Sequence, residues 1–211
     1  GAKAALGEAA KYAAARKQFG VAIATFGAIK HKLGEMTARE YGLESMMYRT
    51  AGLIDAHIAA APDKKADDAS PMLKALEEFA VEASIAKVLG SEVVDYIIDE
   101  NVQIHGGNGF VKDYPAEGHY RDSRVNRIFE GTNEINRLLI PGMLMKKAVK
   151  GELALIPAAK KLQDEIMSPS MSLPDDTEGV LVAERRACGA FKKVVLMVAG
   201  TAMQAYGQKI E

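Results

Sequence analysis

Three stretches of this 211-residue chain hold residue types that could do chemistry. The richest runs from Tyr120-Arg121-Asp122 through Ile128-Phe129-Glu130-Gly131-Thr132-Asn133-Glu134. Glu130 is a carboxylate beside a glycine, just ahead of a predicted helix. Gly131 leaves room for a substrate against the backbone, and Phe129 can shed water. Removing water from a carboxyl group raises its pKa toward the range useful for taking a weakly acidic proton. A plainer reading makes Glu130 a solvated loop acid and Arg121-Asp122 a local ion pair. The second stretch is Gln103-Ile104-His105-Gly106-Gly107-Asn108-Gly109-Phe110. Three glycines in four positions let a backbone approach a ligand closely, and Gln103 offers both a donor and an acceptor. Their spacing matches neither the dinucleotide fingerprint nor a P-loop, so taken alone they read first as a helix terminator with a flexible turn. His105 alone reads as a hydrogen-bonded structural histidine. The third stretch, Arg16-Lys17-Gln18-Phe19-Gly20, sets cations and an aromatic at a helix end, where the helix dipole by itself favours positive charge.

The elements that must position these residues read as helices. Ala2 to about Arg16 is Ala-rich and stops at Gln18-Phe19-Gly20. A second helix is predicted from Thr25, as N-cap, to about Ala61, with an apolar stripe through Ile29, Leu33, Met36, Ala38, Leu43, Met47, Ala51, Ile54 and Ile58. Pro62 to Pro71 reads as a polar turn. A third helix is predicted from about Met72 to Ile104, with Leu76, Phe79, Ala83, Ala86, Val93, Ile97 and Ile104 along one side. Gly106 to Gly109 ends it. A short helical piece follows Pro115 as far as about Ile128, and Thr132 can cap a helix from Asn133 to about Val149. Two long antiparallel helices need others to cover their stripes, which is the logic of a helical bundle. The expected fold is all-α, an up-down four-helix bundle over residues 1–150 with a helical extension over 151–211. Within that extension, residues 150–167 can form a short helix, and Ser168–Thr177 has the composition of a linker. Leu181, Glu184, Cys188, Phe191, Val195, Val198 and Ala202 share one face of a last helix.

Lys and Arg total 27 against 28 Asp and Glu, a balance that gives no electrostatic reason to expect nucleic acid or an anionic membrane as partner. One cysteine, Cys188, cannot form an internal disulfide and suits a reducing compartment such as bacterial cytoplasm or mitochondrial matrix. His31, His57, His105 and His119 stand far apart without ligand-spaced companions, so no metal site is expected. The chain opens in helix-forming sequence with no initiating Met and is read as the middle of a longer gene product.

Taken in order, Arg16-Lys-Gln-Phe-Gly20, Gln103-Ile-His-Gly-Gly-Asn-Gly109, Tyr120-Arg-Asp122 and Ile128-Phe-Glu-Gly-Thr-Asn-Glu-Ile-Asn-Arg137 resemble the acyl-CoA dehydrogenase family. The resemblance covers roughly residues 1–150, the C-terminal helical domain of that family. It implies oxidation of the Cα–Cβ bond of an acyl-CoA thioester to a trans-2-enoyl thioester, with FAD taking the hydride and an electron-transfer flavoprotein taking the electrons. By position, Glu130 matches the general base. Gly131, with Phe129 beside it, falls next to the acyl thioester. Thr132 and Glu134 match FAD contacts. Arg16, Phe19, Gln103, Gly106 and Gly107 match FAD contacts made across a dimer interface, so a homo-oligomer, a dimer first, is implied. Arg121-Asp122 is kept as an ion pair that positions the Glu130 loop. Gly27 stands where the family often has Gln. That glycine and the extension after residue 150 resemble the very-long-chain branch. In some branches the base lies on the first helix of this domain; Glu130 at the Glu-Gly-Thr site argues against that placement here.

The chain by itself is expected to be inactive, because the resemblance places much of the FAD and acyl pocket in domains outside it. Three other readings stay open. One is a scaffold protein with a dehydrogenase-derived fold, for which a retained Glu130 is not needed. Another is an acyl-CoA oxidase passing electrons to oxygen. The last is membrane attachment through the Leu181–Ala202 face, which intramolecular packing explains more simply.

Overall fold

The computed structural model describes residues 1–61, 69–167 and 179–206. Two compact units divide the chain, residues 1–140 and 141–211. The all-α expectation holds: eight α-helices, three short 3-10 turns and one two-residue-per-strand hairpin make up the regular structure among the described residues.

In the first unit, α1 (Ala2–Ala15), α2 (Gly27–Ala60) and α4 (Ala80–His105) pack on one another. α1 buries Ala2, Ala5, Ala9 and Ala13, a three-and-four spacing whose small side chains let it lie close on α4. The directions alternate. Glu8 and Tyr12 of α1 meet Asn101 and His105 of α4, so these two run the same way. Lys32, Arg39 and His57 of α2 meet Glu100, Tyr96 and Phe79 in turn, so α2 runs against α4. α5 (Ala116–Ser123) lies against α4, and α6 (Asn133–Val149) touches α4 through side chains of its first turns. The shared core holds Ile23, Met36, Leu43, Val93, Ile97, Ile98 and Ile104. Full burial of Ile97 alone is worth about 2–3 kcal/mol. Polar ties accompany it. Glu8 takes a bond from Asn101 Nδ2 at 3.2 Å and faces His119 Nδ1 of α5 at 3.3 Å, joining three helices.

Several expectations need correction. Thr25 does not cap α2; it sits in a 3-10 turn, Ile23–Thr25, and its hydroxyl donates to the Ala22 carbonyl at 2.7 Å. The chain after α1 is not a plain stop but a hairpin, Lys17–Gln18 (β1) paired antiparallel with Val21–Ala22 (β2). The third helix is two: α3 (Ser70–Glu78), with Pro71 in its first turn, and α4, separated at Phe79. The break resets the helical phase, so Ala75 is buried and Leu76 is exposed. On α2, Met46 rather than Met47 packs against the core. Residues 62–68 of the expected polar turn and the Ser168–Thr177 linker lie outside the described residues.

The second unit pairs α7 (Leu155–Met167) with α8 (Val182–Tyr206). Gly200 stands opposite Ala159, and Lys193 Nζ donates to Glu165 at 2.9 Å. The α8 face turned to α7 carries Leu196, Met197, Gly200 and Met203. The face expected to be packed, through Phe191, Val195 and Val198, is exposed instead. Among the described residues, no helix is long and apolar enough to cross a membrane.

Candidate active site

The Glu130 loop is built by a change of backbone hand. α5 runs into a 3-10 turn, Arg124–Arg127, and then two consecutive residues turn left-handed: Glu130 at φ 55° and Gly131 at φ 80°. The pair swings the chain into the start of α6. Gly131 tolerates this geometry freely, and a side chain there would also press on Asn136 Nδ2 at 3.1 Å. Glu130 does not tolerate it freely. A non-glycine residue in that region costs roughly 1–2 kcal/mol, a strain kept only where the surroundings over-determine it. Among the described residues, no hydrogen bond or ion pair engages the Glu130 carboxylate, which is exposed beside half-exposed Phe129. Thr132 caps α6 as expected, its hydroxyl accepting the Ile135 N–H at 3.3 Å.

What holds the loop comes from α4. Lys87 and Ser91, one turn apart and therefore on one face, reach the entry to α6. Lys87 Nζ donates to the Gly131 carbonyl at 2.7 Å and to Asn133 Oδ1 at 2.8 Å. Asn133, only 3% exposed, donates from Nδ2 to Ser91 Oγ at 2.9 Å. Asn136 Nδ2 gives the Gly131 carbonyl a second donor at 3.0 Å. Arg137 Nη2 reaches both oxygens of Glu92, at 2.6 and 2.7 Å. Arg121 and Asp122, expected to position the loop as an ion pair, do not form one among the described residues. Adjacent helical positions point their side chains apart. Arg121 instead lines a cavity of about 750 Å³ with Asp99, Phe110, Tyr120 and Arg124.

Glu134 and Thr132 line a smaller cleft of about 170 Å³ together with Arg124 and Arg127. The Glu134 carboxyl is held below its ordinary range by its own backbone N–H, then by the Thr132 hydroxyl, with Arg127 and Arg137 adding charge attraction. An anion at a helix N-terminus is where free N–H groups favour it.

The remaining candidates gather at the other end of α4. Tyr12, near the end of α1, donates its hydroxyl proton to the His105 carbonyl at 3.2 Å, which brings the hairpin and the glycine turn to one end of the bundle. His105 is buried, stacks on Tyr12 with ring centroids 4.0 Å apart, and donates from Nδ1 to the Asn101 carbonyl at 2.8 Å. Its reading as a structural histidine holds. Phe19 sits at the hairpin tip at φ 52°, 93% exposed, and Arg16, Gln103, Gly106 and Gly107 are exposed as well. The three glycines differ in what requires them. Gly106 takes φ 59° to end α4. Gly109 has no room, because a Cβ there would lie 2.5 Å from the Val102 carbonyl. Gly107 has an ordinary φ and nothing within 4 Å, so nothing among the described residues demands a glycine there.

Along α4, the segment at 87–92 and the glycine turn are separated by roughly 20–30 Å at ~1.5 Å per residue. The sequence-predicted residues therefore form two groups: Phe129, Glu130, Gly131, Thr132 and Glu134 in one, and Arg16, Phe19, Gln103, Gly106 and Gly107 in the other. Sequence reasoning missed Lys87, Ser91 and Glu92. Their one signal is a polar pair, Lys87 and Ser91, one turn apart beside the buried Val88.

Residues 1–144 match the family described as acyl-CoA dehydrogenase, C-terminal domain. The chain belongs to the acyl-CoA dehydrogenase family. A probable acyl-CoA dehydrogenase of Bacillus subtilis (strain 168) is 47% identical over 203 residues, covering 96% of this chain and 34% of that protein. The very long-chain specific acyl-CoA dehydrogenase of Rattus norvegicus mitochondria is 38% identical over 138 residues, 65% of this chain and 18% of that protein. The crystal structure of an acyl-CoA dehydrogenase complexed with FAD from Bacillus anthracis superposes with a TM-score of 0.93 at 46% identity. It covers 99% of this chain and 35% of that one. This acyl-CoA dehydrogenase domain thus spans about a third of the length of its bacterial relatives.

Proposed function

We propose that this domain supplies the base, and part of the flavin cradle, of an enzyme that oxidises acyl-CoA to trans-2-enoyl-CoA. The observation that carries the reading is the left-handed Glu130–Gly131 pair, in which a carboxylate with no partner among the described residues is held out by a clamped loop. Glu130 takes the α-proton, which the thioester carbonyl makes acidic. Phe129 and Gly131 line the approach, the first excluding water and the second leaving the backbone open. FAD, when bound, accepts the hydride that leaves the β-carbon as the double bond forms.

The residues present fit that group. Gly107 is a glycine with no internal reason, Arg16 offers an exposed guanidinium suited to a pyrophosphate, and Phe19 is an exposed aromatic on a strained tip. Thr132 and Glu134 belong to the Glu130 group, whereas Arg16, Phe19, Gln103, Gly106 and Gly107 stand roughly 20–30 Å off along α4. That separation supports a homodimer in which one copy's end patch serves the cofactor beside its partner's Glu130. Electrons would leave to an electron-transfer flavoprotein. The chain alone, without the other two thirds of its relatives' length, is proposed to be inactive.

The test uses the full-length enzyme, titrated anaerobically with a long-chain acyl-CoA while flavin absorbance is followed. Bleaching in the wild type but not in flavin-loaded Glu130→Gln is expected. Flavin that stays oxidised in both would favour a scaffold, and oxygen uptake without an acceptor protein would mark an oxidase.

A further inference from the structure

We propose that Lys87 is the positioning residue of the Glu130 base, an inference that rests on reading Glu130 as that base. Lys87 is 43 positions from Glu130 in sequence, yet its ammonium lies on the carbonyl of the very next residue, Gly131, at 2.7 Å. A second bond to Asn133 Oδ1 at 2.8 Å ties the same nitrogen to the first residue of α6. The Gly131 carbonyl takes two donors, Asn136 from α6 itself and Lys87 from α4. Among the described residues, Lys87 alone links that carbonyl to the bundle. Asn133 is fixed in turn, buried and bonded to Ser91 of α4.

The placement runs against ordinary helix electrostatics. A helix N-terminus favours anions and opposes cations, as Glu134 in the same turn illustrates. Among the described residues, Lys87 pairs with no carboxylate, so its charge is directed at a backbone carbonyl and an amide oxygen. A cation kept there is explained by what it holds. Anchoring the Gly131 carbonyl fixes how the chain leaves the left-handed pair, and that pair sets the direction of the Glu130 side chain. Without the anchor, Glu130 is free to relax to an unstrained backbone conformation that aims its carboxylate elsewhere. The loss should fall on proton abstraction, since Lys87 bonds neither the end patch nor Thr132 and Glu134, whose own contacts are made within the first turn of α6.

The test compares full-length, flavin-loaded wild type, Lys87→Met and Glu130→Gln by stopped-flow flavin reduction with saturating acyl-CoA, protiated and α-deuterated. For Lys87→Met the reduction rate constant should drop about a hundredfold, the penalty of a misplaced catalytic group. Substrate affinity and flavin content should stay near wild type, and the α-deuterium effect should rise. Lys87→Cys, made with exposed cysteines including Cys188 replaced by serine, should be equally slow and recover on aminoethylation, which rebuilds a lysine-length ammonium. Because cysteine is a second lesion, a folding failure confined to methionine leaves the test intact. An unchanged rate constant in either variant overturns the proposal, as does a loss that aminoethylation fails to repair. If Glu130→Gln reduces flavin normally, the base assignment fails first; if it is dead while Lys87→Met is normal, only the positioning role fails.

Discussion

Alanine at Gly109 should loosen the end of α4, whereas alanine at Gly107 should not. A Cβ on Gly109 would meet the Val102 carbonyl oxygen at 2.5 Å, and Val102 Cα and His105 Cβ each at 3.0 Å. All three are backbone atoms or the root of a buried side chain and cannot swing aside. Overpacking of this kind costs about 1–3 kcal/mol. At 1.4 kcal/mol per tenfold, opening of the last turn of α4 becomes roughly 5- to 150-fold more frequent. Native-state hydrogen exchange at amides 102–106 of the full-length protein reads that local opening directly. At Gly107 a Cβ meets nothing within 4 Å and the φ is ordinary. Alanine there should be neutral or stabilising by about 0.4–1 kcal/mol, through a less flexible unfolded chain. Its effect should appear in flavin retention on dialysis, because a methyl group would stand at the cofactor contact proposed for Gly107. Unchanged exchange in Gly109→Ala, or equal loosening by Gly107→Ala, would refute this division of roles.

Tyr12→Phe keeps the ring stacked on His105 but removes the bond to the His105 carbonyl and the acceptor for Asn108 Nδ2 at 2.9 Å. The expected cost is about 0.5–1.5 kcal/mol per bond, visible as a lower melting temperature. Glu134 should titrate below an ordinary glutamate in a carbon-detected NMR titration. Because its folded-state pKa is lowered, its contribution at the start of α6 is present above the ordinary glutamate range. That contribution fades as pH falls below the range, and Thr132→Val should move the titration back up. Residues 1–211 alone, mixed with FAD and acyl-CoA, should show no acyl-CoA oxidation; turnover would place a complete pocket within this domain.

The fold class and most helix ends could be read from local pattern. Thr132 is legible as a cap because its hydroxyl directly precedes a helix-forming stretch with an acid in its first turn, and α6 starts at Asn133. The break at Phe79 was not readable. Neither glycine nor proline marks it, and Phe79, at φ −96° and ψ 19°, packs edge-on against His57 of α2. Such a contact is tertiary and leaves no trace in the local sequence. Thr25 misled for the opposite reason. A hydroxyl near a helix start can bond backward into a 3-10 turn as well as forward into the helix.

The site divides in the same way. Glu130, Gly131 and the glycine turn stand in contiguous motifs and are legible as candidates; the clamp is not, because Lys87 and Ser91 meet Gly131 and Asn133 across more than forty positions. Arg121 and Asp122 were assigned that task on adjacency alone, and adjacency on a helix separates side chains. The apolar face of α8 through Phe191 and Val195 was correctly seen as one face but not as the one left uncovered.

The proposed removal of the substrate's α-proton by Glu130 can be watched apart from hydride transfer. A 3-thia-acyl-CoA has an acidic α-hydrogen and sulfur at the β-position, so it offers no hydride. Incubated in deuterium oxide with the full-length, FAD-loaded enzyme, it should exchange one α-hydrogen with wild type and none above background with Glu130→Gln, by mass spectrometry of the recovered thioester. Exchange at the wild-type rate in flavin-loaded Glu130→Gln would contradict the account and place the base elsewhere.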